Sequence, residues 1–176
     1  MLGLIDLSEF SYDAAAAAYW TRDVLEPDAR AYLEGLEPSG TAPGVELYHA
    51  SPRDPVWEYV LTAEAAAEAL AATSAPVVLV GHSHVALALL LQGSNVGGGL
   101  APDGTELDLG EARWLLNPGS VGQPRDGDPR AAWLLLDLDA GRASFRRVPY
   151  PIERTQQEIR ERGLPDALAE RLAEGL

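Results

Sequence analysis

Few side chains in this sequence can do demanding chemistry. There are three histidines, no cysteine and no lysine. Disulfides, thiolate metal sites and lysine Schiff bases are therefore excluded, and the imidazoles become the first candidates. Two of them stand one residue apart at the end of Val77-Val78-Leu79-Val80-Gly81-His82-Ser83-His84. The third, His49, follows the short run Val45-Glu46-Leu47-Tyr48. Neutral imidazole suits Zn, Mn, Fe or Ni, so a His-x-His pair can face one ion or two adjacent ions. Two solvated loop histidines would read the same way in isolation. Here, however, every histidine in the chain follows an apolar run.

The elements needed to position these residues can be read from the pattern. Val77–Val80 is apolar and mostly β-branched, which predicts a buried strand in a parallel sheet. Gly81 allows a sharp turn where that strand stops, and the carboxyl ends of such strands are where α/β folds bind ligands. Val45–His49 predicts another strand. The loop from Ala50 to Pro55 leaves it, since Pro52 and Pro55 forbid regular pairing. Trp57, Tyr59, Val60 and Leu61 are expected to pack that loop down. Thr62 caps a helix from Ala63 to Ala72. Val85 to Leu91 and Arg113 to Leu116 read as strands, and Gly93 to Gly104 as a surface loop or hairpin. Ala131 to Leu138 and Ala143 to Val148 predict an antiparallel hairpin turned by Asp139-Ala140-Gly141. Helices are expected over Ser11 to Val24, from Pro27 onward with an apolar stripe Leu25, Ala29, Tyr32, Leu33 and Leu36, over Pro151 to Arg162, and over Asp166 to Leu172. Gly35, Pro38, Gly40, Pro43 and Gly44 suggest a loop. With no repeat or linker, the 176 residues suit one compact unit.

Composition narrows the function. The formal net charge of −14 argues against coating nucleic acid, which needs a basic surface, but not against a phosphorylated small molecule. Neither a secretory signal nor a membrane span is evident, so a cytoplasmic location is the default. Several His-x-His chemistries fail on the neighbours. A His-x-His-x-His site needs a histidine where Ala86 stands. A metallo-β-lactamase-like site needs acid and histidine just downstream, where the chain has Ala86, Leu87 and Ala88. Amidohydrolase-type sites want more histidines and often a lysine.

Tyr48-His49-Ala50-Ser51-Pro52, Val80-Gly81-His82-Ser83-His84 and Leu116-Asn117-Pro118-Gly119-Ser120-Val121-Gly122-Gln123-Pro124-Arg125 resemble, in order and spacing, the later motifs of calcineurin-like metallophosphoesterases. They fit the bacterial subgroup of phosphodiesterases and diadenosine-tetraphosphatase-like proteins. Ala50 and Ala86 depart from the usual glycine and proline without touching a ligand position. The resemblance implies an α/β (α+β) fold, the C-terminal part of a four-layer αββα sandwich with mixed sheets. It also implies metal-dependent hydrolysis of a phosphodiester or nucleotide at two divalent ions, Mn, Fe, Zn or Ni. His49 and His82 would ligate one ion and His84 the other. Arg53, Asn117, Gly119, Ser120 and Arg125 would meet the substrate phosphate.

The family's earlier Asp-x-His, Gly-Asp and Gly-Asn-His motifs do not precede Tyr48-His49. No catalytic acid histidine is therefore assigned, and residues 1–176 are expected to form a single, N-terminally incomplete domain. Three imidazoles without carboxylates hold two divalent ions poorly, so metal occupancy and activity are expected to be reduced. Strands such as Val77–Val80 are expected to lose neighbours, leaving an edge for an oligomer or partner to cover. The alternative is a non-catalytic binding or scaffold protein that keeps the sandwich surface.

Overall fold

The computed structural model describes residues 6–8, 10–93 and 95–176. In chain order its elements are α1 (Tyr12–Val24), α2 (Pro27–Glu34), β1 (Ser39–Ala42), β2 (Val45–Tyr48), α3 (Ala63–Ala71), β3 (Val77–Leu79), β4 (Ala86–Gln92), β5 (Asn95–Leu100), β6 (Glu106–Asp108), β7 (Arg113–Pro118), β8 (Ala131–Asp137), β9 (Arg142–Val148), α4 (Ile152–Glu161) and α5 (Asp166–Glu174). They divide into two compact units, one of Pro38–Tyr150 with Gly175–Leu176, the other of Met1–Glu37 with Pro151–Glu174.

The first of these units holds both sheets. A six-stranded sheet runs β1-β2-β3-β7-β4-β5, and a three-stranded sheet runs β6-β9-β8. β2, β3 and β7 are parallel neighbours, with Leu47, Leu79 and Leu116 in register. β4 then pairs antiparallel with β7, so the larger sheet is mixed. Its period-two alternation sends side chains to two different cores. Val77, Trp114, Leu116, Ala86 and Ala88 face the smaller sheet, where Ala143 and Phe145 meet them. Val78, Val80, Leu115 and Leu89 face the opposite way, onto Ala66, Ala69 and Leu70 of α3. Both faces of the central strands are thus covered, which is why their sequences are almost continuously apolar. The Thr62 hydroxyl caps α3 by accepting from the Ala65 N–H at 3.1 Å.

Three sequence expectations need correction. β3 is not an edge: β2 and β7 flank it on both sides. A buried run can be recognised in sequence, but its neighbours cannot. Ser39–Ala42, expected as loop, is the strand β1, paired antiparallel to β2 around Pro43-Gly44. Ser-Gly-Thr-Ala has little strand propensity of its own, and backbone pairing to β2 carries it. Of the residues expected to pack the 50–55 loop down, only Val60 is buried, while Trp57, Tyr59 and Leu61 are about half exposed. The glycine-rich connection resolves as the second strand of a β4–β5 hairpin.

In the helical unit, the Ser11 hydroxyl accepts from the Ala14 N–H at 3.3 Å to start α1, and Pro27 opens α2. The α2 stripe is less covered than its pattern suggests, with Tyr32 and Leu36 exposed. α4 and α5 are joined by Gln156 Nε2 donating to the Ala169 carbonyl at 2.8 Å and by an Arg160–Asp166 ion pair at 3.0 Å. Among the described residues, no helix is long and apolar enough to cross a membrane.

Candidate functional site

The parallel alignment of β2, β3 and β7 brings their carboxyl ends to one edge of the sheet. His49 lies just past β2, and the Gly81 N–H donates to its carbonyl at 3.0 Å, so the first and second histidine loops are joined through the backbone. His49 Nε2 and His82 Nδ1 stand 3.0 Å apart. Their rings cross edge-on, with centroids at 4.8 Å. Tyr59 also lies against His82, with ring centroids 4.2 Å apart.

His84 is held differently. Its Nδ1 bonds to the Gln123 carbonyl at 2.8 Å. A carbonyl only accepts, so the proton sits on Nδ1 and the lone pair on Nε2. Metal-ligating histidines are commonly oriented by such a bond. The Arg125 N–H donates to the His84 carbonyl at 3.1 Å, and its guanidinium rests on Gln123 Oε1 at 2.8 Å. Arg125 is therefore beside the histidine turn.

The turn between the two histidines is strained. His82 and His84 have φ of 48° and 59°, in the left-handed region that side chains with a Cβ usually avoid. Each such residue costs about 1–3 kcal/mol and persists only when its surroundings dictate it. Asn117 supplies much of that constraint. It is fully buried, and its Nδ2 donates to the Gly81 carbonyl at 2.7 Å and to Ser83 Oγ at 2.9 Å. Its Oδ1 accepts from the Gly119 N–H at 3.0 Å. The side chain expected to meet substrate is thus occupied in clamping the His-Ser-His turn.

A second clamp lies at the turn's exit. Asp126 Oδ2 accepts from the Ala86 N–H at 3.0 Å and is ion-paired to Arg147 on β9. Both side chains are deeply buried, at 6% and 4% exposure. Sequence reading missed this pair. The available signal was Arg147 continuing the inward series Ala143, Phe145 on β9.

The remaining expected substrate residues fall in two places. Gly119 has φ of 83°, and a Cβ there would lie 2.8 Å from the Ala132 Cβ, so this glycine serves close packing. Ser120 Oγ accepts from the Gln123 N–H at 3.0 Å, within the same loop as Arg125. Arg53 is drawn elsewhere, into ion pairs with Glu58 and Glu68. The structure therefore gathers His49, His82, His84 and Arg125 at one edge, with Asn117, Gly119 and Ser120 building the support beneath.

The electrostatics favour neutral imidazole. Burial is the main influence pushing the His82 pKa below the ordinary histidine range, followed by the nearby His49, His84 and Arg125, while Asp54 opposes them. A neutral ring keeps its lone pair available to a metal. The 3.0 Å contact between His49 Nε2 and His82 Nδ1 is a ring-to-ring hydrogen bond that brings two imidazole nitrogens together from separate strand ends. Against this, no group of three His, Asp or Glu side chains among the described residues is arranged to hold a metal. What the described residues bring together here is a pair of imidazole nitrogens, with the Asp54 charge near enough to act on His82.

Comparison with known proteins identifies the family. The pattern of the calcineurin-like phosphoesterase superfamily domain matches residues 12–141. A metallophosphoesterase from Sphaerobacter thermophilus is similar in structure, with a TM-score of 0.89 and 42% identity, over 99% of this chain and 72% of that one. The uncharacterised protein MJ0912 of Methanocaldococcus jannaschii is 31% identical over 98% of this chain and 70% of its own length. The hypothetical protein PH1004 of Pyrococcus horikoshii shares the fold, with a TM-score of 0.74 and 18% identity, over 96% of this chain and 62% of its own.

Proposed function

Since this chain belongs to the calcineurin-like phosphoesterase superfamily, whose members generally use divalent metals, we propose that its histidine edge binds a divalent ion and hydrolyses a phosphodiester or nucleotide. The observation that carries this reading is the meeting of His49 and His82 at 3.0 Å from two separate strand ends. A bound divalent ion would polarise a phosphoryl oxygen and lower the pKa of a water. His49 and His82 are the residues that would hold it, and His84, with its lone pair on Nε2, is assigned to a neighbouring ion. Mn, Fe, Zn and Ni all suit imidazole.

The chain's own residues perform the remaining tasks. Asn117 keeps Gly81 and Ser83 fixed, so the two histidines hold their left-handed backbone. Arg125, beside His84, carries the positive charge that would pair with a phosphate oxygen of the substrate. Tyr59 covers one face of His82 and limits its rotation.

The test is direct. Purified chain loaded with Mn²⁺ should hydrolyse bis(p-nitrophenyl) phosphate, and His82→Ala should remove both turnover and tight metal retention. A chain that retains none of the four metals, and turns over nothing with any of them, would sink the enzymatic assignment. A second reading, a binding protein on the same fold, is favoured because no group of three His, Asp or Glu side chains among the described residues is arranged to hold a metal. It predicts a stable complex that is indifferent to His82→Ala. We place the protein in the cytoplasm and regard a small phosphorylated molecule as its partner, with a second protein or copy as an additional candidate.

A further inference from the structure

Directly beside the histidine pair, the chain turns large apolar side chains outward. Trp57 and Tyr59 are each 50% exposed and Leu61 is 48% exposed. The intervening residues point inward for identifiable reasons. Glu58 accepts from the Ser51 hydroxyl and from Arg53 Nη2. Ser51 is itself fully buried, and its Oγ accepts from the Arg53 and Asp54 N–H groups at 3.1 Å. Val60 packs into the core with Val78, Val80 and Leu115. With residues 58 and 60 anchored, Trp57, Tyr59 and Leu61 are the half-exposed side chains of this irregular segment. The Asp54 carboxylate fixes the start of the segment by accepting from the Val56 and Trp57 N–H groups at 3.0 Å.

Tyr59 links this segment to the histidine pair. The Tyr59 ring contacts His82 with centroids 4.2 Å apart and an interplanar angle of 32°. Trp57 lies two residues away, at most about 7 Å of extended chain. Two half-exposed aromatic rings next to the histidine edge offer apolar surface to a planar ligand. A strongly acidic chain, with net charge −14, offers a polyanion little, but an uncharged planar ring needs no basic surface to stack.

We infer that Trp57 and Tyr59 form an aromatic shelf that selects phosphoesters carrying a planar aromatic group next to the phosphate, a nucleobase or an aryl ring. The inference rests on the phosphoesterase reading above and names the substrate class of that same site. The phosphate lies toward His49, His82 and Arg125, and the ring stacks on the Trp57 and Tyr59 side. Trp57 and Tyr59 are thus specificity residues.

Binding tests the shelf without requiring turnover. The full chain with Mn²⁺ is titrated with inorganic phosphate, AMP, p-nitrophenyl phosphate and glycerol phosphate, and heat is recorded. Both aromatic ligands should bind at least about tenfold more tightly than phosphate or glycerol phosphate, in keeping with the usual strength of base–aromatic stacking. Trp57→Ala should remove most of that preference and leave phosphate affinity in place, and Tyr59→Leu should lower the ratio of aromatic-ligand to phosphate affinity. Trp57→Phe and Tyr59→Phe should keep it, which guards against loss of fold. Preference for AMP over p-nitrophenyl phosphate would assign the shelf to a nucleobase, and the reverse to a simple aryl group. Equal binding of all four ligands, or a preference that survives both truncations, overturns the shelf while leaving the phosphoesterase reading intact. Failure of every ligand to bind overturns both.

Discussion

The His-Ser-His turn is held at its two ends by opposite kinds of brace. At its start the brace is neutral. The Asn117 amide gives both protons to Gly81 and Ser83, takes one from Gly119, and leaves no polar atom of its side chain idle. At its exit the brace is ionic. Asp126 and Arg147 are buried together, yet Asp126 Oδ1 finds no hydrogen-bond partner among the described residues. The difference matters because a buried amide is inexpensive once its bonds are made, whereas a buried charge depends on its partner. The neutral brace sets the geometry of the turn, and the ionic brace ties the exit of the turn to the second sheet.

Breaking the ionic brace should give the largest effect. Arg147→Ala leaves Asp126 buried without a counter-ion, with an expected loss of about 3–5 kcal/mol, read as the denaturant midpoint at constant slope. If Arg147→Ala melts like the parent chain, the buried pair is not structural. Asn117→Ala comes next. It leaves Gly81, Ser83 and Gly119 groups unpaired, at about 1–3 kcal/mol, and should weaken Mn²⁺ binding because both histidines lose their fixed backbone. Unchanged metal affinity in calorimetry would show that Asn117 supports the fold but not the site.

Gly119→Ala probes the floor under the neutral brace. The φ of 83° and the 2.8 Å approach to the Ala132 Cβ both oppose a side chain. The expected cost is about 1–3 kcal/mol, and thermal unfolding with no shift would refute the tight approach of β4 and β8 to this loop. The smallest effect concerns Glu46, on the exposed flank of the sheet. Hydrogen bonds from Thr73 first and Tyr48 second hold its carboxyl below the ordinary value of 4.5. A lowered carboxylate pKa contributes stability that is present above 4.5 and fades as pH falls through the lowered native value. Glu46→Gln should flatten the acid limb of the stability curve, and an unaltered limb would remove Glu46 from the account.

The comparison also shows what reading residues in order can detect. Val77–Val80, Val85–Leu91 and Arg113–Leu116 were legible as strands because burial on both faces requires near-continuous apolar sequence. The histidine positions and the Asn117–Arg125 loop were legible because each follows such a strand. Arg53 shows what spacing leaves out. Its proximity to His49 in sequence said nothing about Glu68, fifteen residues on, which captures its guanidinium. Trp57, Tyr59 and Leu61 were expected inside because large apolar residues usually are, and the inward anchoring of Glu58 by Ser51 could not be seen from spacing.

The sequence alone determined the residues available for chemistry, the strands that carry them and the family pattern they match, because periodicity and residue type are local properties. Tertiary structure decided that His49 meets His82, that His84 bonds to the Gln123 carbonyl, and that Asn117 faces inward. Those facts depend on the parallel register of β2, β3 and β7 and on hydrogen bonds between groups more than thirty residues apart. Such convergence is fixed only when the packed core chooses which strands are neighbours.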